Sequence, residues 1–284
     1  MTGEAWSWDE TLFAGTAAHY TRGRLPYAPG LAEALADALE LDGRGPDARG
    51  RLLDVGCGPG TLALGLAHLF GEVVGVDPDA GMIAEARRAG AAEPKATWVR
   101  ARAEELPSGL GTFTLAVFGQ SFHWMDRELV AATVRRLLRP GGALAHISDL
   151  KGEPRPTEGL PHPPVPYDAI GELVRRYLGP VRRAGRGTLP HGTPGDEAAV
   201  LARAGFTGPQ RIVVPGGQPL ERSADEAVAG VLSLSFSAPH LFAERLPAFE
   251  ADLRRLLART SPSGLFSERQ PSSEVFIWRT AEQR

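Results

Sequence analysis

Arg51-Leu52-Leu53-Asp54-Val55-Gly56-Cys57-Gly58-Pro59-Gly60 is the stretch that decides the fold class. A short apolar run ending in alternating glycines reads as a buried strand turning sharply into a helix. Glycines let the backbone pass close to a ligand with no Cβ in the way. The helix that follows carries Leu62, Leu66 and Leu69 at helical spacing and offers unpaired N–H groups to whatever occupies the turn. A second, valine-rich strand, Glu72–Asp77, ends in an acid 21 residues after Gly56. In a parallel sheet the two strand ends are neighbours, so that carboxylate can take both hydroxyls of a ribose.

Working outward, Asp79 caps a helix that runs through Ile83 and Ala86 to about Arg88 and stops near Gly90. Thr97–Ala101 and Phe113–Gly119 read as the third and fourth strands. Asp126 caps a helix carrying Leu129, Val130, Val134, Leu137 and Leu138, which Arg139-Pro140-Gly141-Gly142 stops before a fifth strand, Ala143–Ser148. Strands alternating with helices at this spacing predict a parallel sheet with crossover helices. Residues 1–50 read as two helical pieces broken around residues 24–29, and residues 150–166 as a proline-rich loop. Helices are expected over Tyr167–Leu178, Asp196–Ala204, Ala224–Ser235 and Leu246–Ala258, with strands at Gln210–Val214 and Ser273–Trp278. The expectation is an α/β fold with a doubly wound, seven-stranded, mostly parallel sheet and a helical cap. It forms one domain over residues 1–284, with residues 1–50 in the cap and 51–149 as the ligand-binding core. Inserts at 150–195 and 216–268 complete the cap.

The chain has 284 residues, 43% hydrophobic and 23% charged, with a net charge of −3. No bulk field draws it toward nucleic acid or an anionic membrane. Every basic residue except Lys95 and Lys151 is arginine, a skew that fits a GC-rich bacterial genome. The single cysteine, Cys57, excludes an internal disulfide and a multi-cysteine zinc site. His162, His191 and His240 show no metal-ligand spacing, so no metal is expected. The polar, acidic start and the lack of an apolar run of about 18–20 residues point to a cytoplasmic protein, monomeric or homodimeric.

A nicotinamide-binding domain also has a glycine turn and a downstream acid. Three details disfavour it. Thr61 stands where its third glycine belongs, Asp54 precedes the turn where an apolar residue is usual, and Pro59 removes an N–H that would face a pyrophosphate. The segment Asp54–Gly60 instead resembles the first motif of class I S-adenosylmethionine-dependent methyltransferases. The similarity continues through Gly75-Val76-Asp77-Pro78 and Met82, Ala103-Glu104-Glu105-Leu106-Pro107, and Leu138-Arg139-Pro140-Gly141-Gly142. Gln120-Ser121-Phe122-His123-Trp124 and the opening segment with Tyr20, Arg24 and Pro26-Tyr27 are similar to the trans-aconitate methyltransferase-like subgroup.

The resemblance implies S-adenosyl-L-methionine as cofactor. Gly56, Gly58 and Gly60 would lie under its methionine part, and Asp54 would anchor the loop or meet the ammonium. Asp77 would hold the ribose, Pro78 and Met82 would pack on adenine, and Ala103 with Glu104 would border the adenine edge. Gln120 would face the methionine end. Arg102 departs from the pattern, since many members carry an acid there; adenine recognition then falls to backbone groups or Glu104. His123 is the candidate base or orienting group at the carboxyl edge of the sheet, or else packs beside Trp124, itself a candidate pocket wall. Tyr20 and Arg24 would close over the cofactor carboxylate, grip an anionic substrate, or simply belong to an amphipathic helix. Arg175, Arg176, Arg182, Arg183 and Arg186 read as a solvated face or as ligand binders. The expected activity is methyl transfer to O or N of a small molecule, such as a carboxylate or natural product. A peptide or RNA acceptor and a non-catalytic cofactor-binding homologue are the alternatives, the negative charge speaking against RNA.

Overall fold

The computed structural model describes residues 9, 11–41, 50–106, 108–184, 187–188 and 196–281. The polar opening residues, Pro107, Arg186 and His191 therefore lie outside the described residues. Two short helices, α1 (Ala17–Gly23) and α2 (Leu31–Ala38), precede the first strand. Then come β1 (Arg51–Val55), α3 (Thr61–Leu66), β2 (Glu72–Asp77), α4 (Ala80–Ala89) and β3 (Ala96–Arg100). They are followed by β4 (Phe113–Gly119), α5 (Arg127–Leu137), β5 (Leu138–Asp149) and α6 (Tyr167–Leu178). A small hairpin, β6 (Arg183–Ala184) and β7 (Gly187–Thr188), leads to α7 (Glu197–Arg203), β8 (Phe206–Val214) and β9 (Pro219–Ser223). The chain closes with α8 (Ala224–Leu232), α9 (Pro239–Phe242), α10 (Leu246–Thr260), β10 (Leu265–Arg269) and β11 (Ser273–Thr280).

Seven strands form one sheet in the order β3-β2-β1-β4-β5-β11-β8. Only β11 runs against its neighbours, β5 and β8. Strand order reverses between β1 and β4, which opens a crevice at the carboxyl ends of the strands. The central strands are apolar almost throughout because helices cover both their faces. One face packs on α2, α3 and α4 through Leu31, Leu35, Leu62, Leu66 and Ile83. The other packs on α5 and α7 through Val130, Val134, Val200 and Leu201. The cap has an apolar core of its own, in which α6, α8 and α10 bring together Ile170, Val228, Val231, Phe249 and Leu253.

The predicted caps are present: Asp79 accepts from the Met82 amide and Asp126 from the Leu129 amide. The fifth strand differs. It begins at Leu138, directly from α5, and residues 139–142 bulge where the pairing jumps from Phe113↔Leu138 to Leu115↔Ala143. The Pro-Gly-Gly segment thus kinks the strand instead of preceding it, with Gly141 at φ 70° and a Cβ at Gly142 reaching within 2.8 Å of the Arg139 carbonyl. Inside the second insert, β9 and β10 pair antiparallel, a ladder of short charged strands with no apolar alternation to announce it.

The N-terminal segment is fastened to the cap through glycine. A Cβ on Gly23 at the end of α1 would stand 2.3 Å from the Ala229 carbonyl carbon in α8. Gly23→Ala should therefore destabilise the protein by about 1–3 kcal/mol through overpacking, read as a lowered denaturation midpoint. An unchanged midpoint would show that α1 is not clamped to α8.

Candidate active site

The glycine turn sits on two buried carboxyls. The Gly56 and Cys57 amides both donate to the Val76 carbonyl, at 2.8 and 3.0 Å, which fixes the turn to β2. Gly56 and Gly58 have φ of 69° and 53°, and a Cβ on Gly56 would come within 2.7 Å of the Ser121 Cβ. Asp77 accepts from the Gly58 amide and the Asp79 amide, each at 2.9 Å. Asp54 accepts from the Ala63 amide at 3.1 Å through Oδ2, while its Oδ1 is buried with no hydrogen-bond partner. Burial lifts the Asp54 carboxyl to about 7, against the Ala63 N–H and with help from the charge of Asp77. Burial likewise lifts Asp77 to about 6, against the Asp79 and Gly58 amides. An unpaired buried acceptor costs about 1–3 kcal/mol, so this place favours a cation or donor supplied from outside.

A crevice of about 730 Å³, including its open mouth, runs over the turn. Gly56, Gly58, Asp77, Pro78, Met82, Ala103, Glu104 and Gln120 line it, together with Tyr20 and Trp124. Glu104 has a second task, since its carboxylate accepts from the Asp126 amide at 2.8 Å at the start of α5. Arg102 also faces the crevice, 3.5 Å from the other Glu104 oxygen.

Asp54 and Arg24 line a second, larger cavity of about 1480 Å³ including its mouth, which shares Tyr20, Gly56, Gly58, Gly119 and Gln120 with the first. The second cavity lies between the sheet edge and the cap. Ile170, Val174, Val231, Leu234 and Phe236 give it an apolar side, and Tyr27, Asp149, Arg155 and Tyr167 a polar one. Arg24 lies 4.7 Å over the Tyr20 ring and donates to the Ser233 carbonyl at 3.1 Å, while its Nε is buried without a partner. Asp149 is pushed up by burial against the pull of Arg155 and Arg24 and a hydrogen bond from Gln120. Arg222 is already committed: it pairs with Glu268 at 2.8 Å and donates to the Gly23 and Glu226 carbonyls.

Two expected site residues stand elsewhere. Gly60 lines neither cavity; it sits at φ 81° before α3, and a Cβ there would strike Trp98 at 2.4 Å. Its missing side chain makes room for an indole, not for a ligand. His123 also lines neither cavity, because a 3-10 turn over Phe122–Trp124 carries it to a third one behind Gln120. Burial, then Lys151, Arg182 and Arg127, lower its imidazole to about 4. Arg175, Arg176 and Arg182 are exposed, Arg175 being paired with Glu172. Among the described residues, no group of three or more His, Cys, Asp or Glu is placed to hold a metal, and no helix is long and apolar enough to cross a membrane.

The profile of the methyltransferase domain matches residues 52–142. An uncharacterized methyltransferase of Mycobacterium tuberculosis is 33% identical over 178 residues, 63% of this chain and 64% of its own length. The chain thus spans less than two thirds of that relative. An uncharacterized methyltransferase of Synechocystis is 35% identical over 190 residues, covering 63% of this chain and 77% of the relative. The chain belongs to the class I S-adenosylmethionine-dependent methyltransferases. A solved structure from Anaeromyxobacter dehalogenans, assigned to the type II methyltransferases, covers 91% of the chain and is covered to 97%, at a TM-score of 0.51 and 24% identity. It shares the fold of this methyltransferase.

The crevice fits the cofactor that this family uses. An orphaned carboxyl oxygen beside a glycine turn suits an ammonium, and Asp77, whose oxygens keep further acceptor capacity, suits vicinal hydroxyls. Tyr27, Asp149, Arg155 and Tyr167 were not singled out in the sequence as site residues. Asp149 could have been found, because it ends β5 at the carboxyl edge of the sheet where such folds bind ligands. Arg155 lies in a proline-rich loop with no motif around it.

The two carboxyls give a pH dependence with a definite sign. Their folded-state values lie above the ordinary carboxylate range, so between about pH 4 and 7 the native state binds more protons than the unfolded chain. Stability of the ligand-free methyltransferase should fall as pH rises through that window, by on the order of 3–4 kcal/mol for Asp54 alone. Denaturation at pH 4 and pH 8 should show this loss, and Asp54→Asn should flatten it. A protein equally stable at both pH values would mean that Asp54 is ionised and paired throughout.

Proposed function

We propose that this methyltransferase acts on an oxygen or nitrogen of a small molecule, and that the acceptor carries an anionic group. One observation supports the reading most: a cavity with an apolar side and two arginines, Arg24 and Arg155, continues from the glycine-turn crevice under the cap. Pockets of this kind bury most of a small ligand, whereas a polymer needs an open groove. The alignment with malonyl-[acyl-carrier protein] O-methyltransferase of Enterobacter lignolyticus, 38% identical over 96 residues, takes in only 34% of this chain. It leaves most of the chain without a counterpart, and so does not decide between a free and a carrier-bound acid.

In this reading Asp54, Gly56, Gly58 and Gln120 hold the methionine end of the cofactor and Asp77 the ribose. Pro78, Met82, Ala103 and Glu104 frame the adenine. When bound, S-adenosylmethionine supplies an electrophilic methyl group on a sulfonium. The chain's own contribution is to hold the acceptor in line and to exclude water, which together account for much of the rate in such a displacement. Arg24, with a guanidinium N–H left over, and Arg155 would grip the anionic group. A carboxylate acceptor needs no proton removed; for a hydroxyl or amine, Asp149 is the carboxylate in the cavity wall closest to the role of base. His123 enters this scheme only as part of the wall behind Gln120.

Two measurements test the reading. Asp77→Asn should weaken S-adenosylhomocysteine by about 1.5–3 kcal/mol in calorimetry, with the fold retained; unchanged affinity would remove Asp77 from the cofactor site. A screen of small carboxylates and phenols with methyl-labelled cofactor should yield turnover of an anionic acceptor. Arg24→Ala and Arg155→Ala should then each raise KM about tenfold or more, with cofactor affinity intact. Label transferred only to tRNA or peptide, with every small acid and phenol inert, would overturn the small-molecule reading.

A further inference from the structure

The cavity behind Gln120 has features that methyl transfer leaves unused. Strand alternation places Phe118, His146 and Phe276 in one cross-strand row, His146 being paired with Phe118 on one side and Phe276 on the other. Leu144 and Trp278 form the row next to it. Phe118, Leu144, Phe276 and Trp278 belong to the core on the α5 and α7 side of the sheet, whereas Leu62, beside Asp54 in the second cavity, belongs to the core on the other side. Between the sheet and α7 lies a cavity of about 1080 Å³ including its mouth, lined among others by Phe122, His123, His146, Lys151, Phe276 and Trp278.

Two nitrogen atoms of residues that line this cavity have no partner. His146 Nε2 and Trp278 Nε1 are both buried without a hydrogen bond, and their rings are 4.9 Å apart. Buried polar groups in native proteins are nearly always paired, so two orphans side by side call for a shared partner. The tryptophan N–H can only donate. Burial, then the charge of His123, holds the His146 imidazole down at about 3, so it is neutral and one of its nitrogens accepts. A hydroxyl matches the pair: its oxygen accepts from Trp278 Nε1–H while its proton goes to His146 Nε2. Aromatic rings crowd His146, the Phe122 ring at 4.6 Å and the Phe118 ring, edge-on, at 5.5 Å. A carboxylate fits less well, because Lys151 shares the wall with the acid Glu197, Glu274 being paired with Arg211.

We propose that this cavity is a second small-molecule site, separate from the acceptor cavity, which binds a phenol through Trp278 Nε1 and His146 Nε2. The full chain, titrated with 4-fluorophenol and followed by ligand fluorine NMR, tests it. Saturable binding is expected, and it should persist under saturating S-adenosylhomocysteine and in Arg24→Ala. Trp278→Phe, which keeps an aromatic ring and removes the donor, should weaken it at least tenfold, as should His146→Phe. On the unmodified protein, 4-fluorotoluene and 4-fluorobenzoate should each bind at least tenfold more weakly, a comparison that does not depend on any variant folding. The proposal is overturned by absent saturation, by equal binding of 4-fluorotoluene or 4-fluorobenzoate, or by loss of binding in Arg24→Ala. A crystal grown with 4-fluorophenol that shows only a water between the two nitrogens would overturn it as well.

Discussion

A carboxyl buried at the end of a central strand has to be neutralised by a proton or by a partner, and Asp54 is satisfied only halfway by the protein itself. The Ala63 amide near the start of α3 answers one oxygen; the other has nothing. The next strand adds a second acid, Asp77, whose charge raises the first. What keeps this arrangement in place is the burial around it: Leu52, Leu53 and Val55 of β1 are inaccessible to solvent, so Asp54 cannot turn outward. The place where the crevice and the second cavity meet at Gly56 and Gly58 is thus built to prefer a cation, and the glycines bring the backbone close enough to let one in. A site formed in this way binds by completing an interaction that folding leaves open.

The parts of this design that are local were legible in the sequence. The β1 turn, the acid ending β2, the caps Asp79 and Asp126 and the order of strands through β5 all follow from spacing over a few residues. Gly60 shows where such reading reaches its limit. A glycine needed so that a ligand can approach and one needed so that Trp98 can pack look identical in sequence, because in both cases what matters is an absent Cβ. His123 shows another limit. It stands three residues after Gln120, yet one 3-10 turn moves it from the crevice to the cavity behind it. The second cavity as a whole was out of reach for a third reason. Arg24 was singled out, but Tyr27, Asp149, Arg155 and Tyr167, which join it, come from separate segments that meet only once α1 has docked on α8 and α6 has packed on α10. No periodicity in any one segment reports on the others.

The three cavities have one residue in common, and it is a strained one. Gln120 lines all of them, at the end of β4 where the sheet gives way to the turn. Its φ of 55° puts a residue with a full side chain in the left-handed region, at a cost of order 1–2 kcal/mol. Its amide donates to the Ile147 carbonyl at 3.0 Å, and its side chain reaches toward Asp149 on the neighbouring strand, where it favours the carboxylate. Glycine would adopt the same backbone without strain but could not reach Asp149. The side chain is therefore what the strain is tolerated for. It ties the carboxyl edge of β4 to that of β5 at the point where the glycine-turn crevice, the cavity under the cap and the cavity on the other face of the sheet come together.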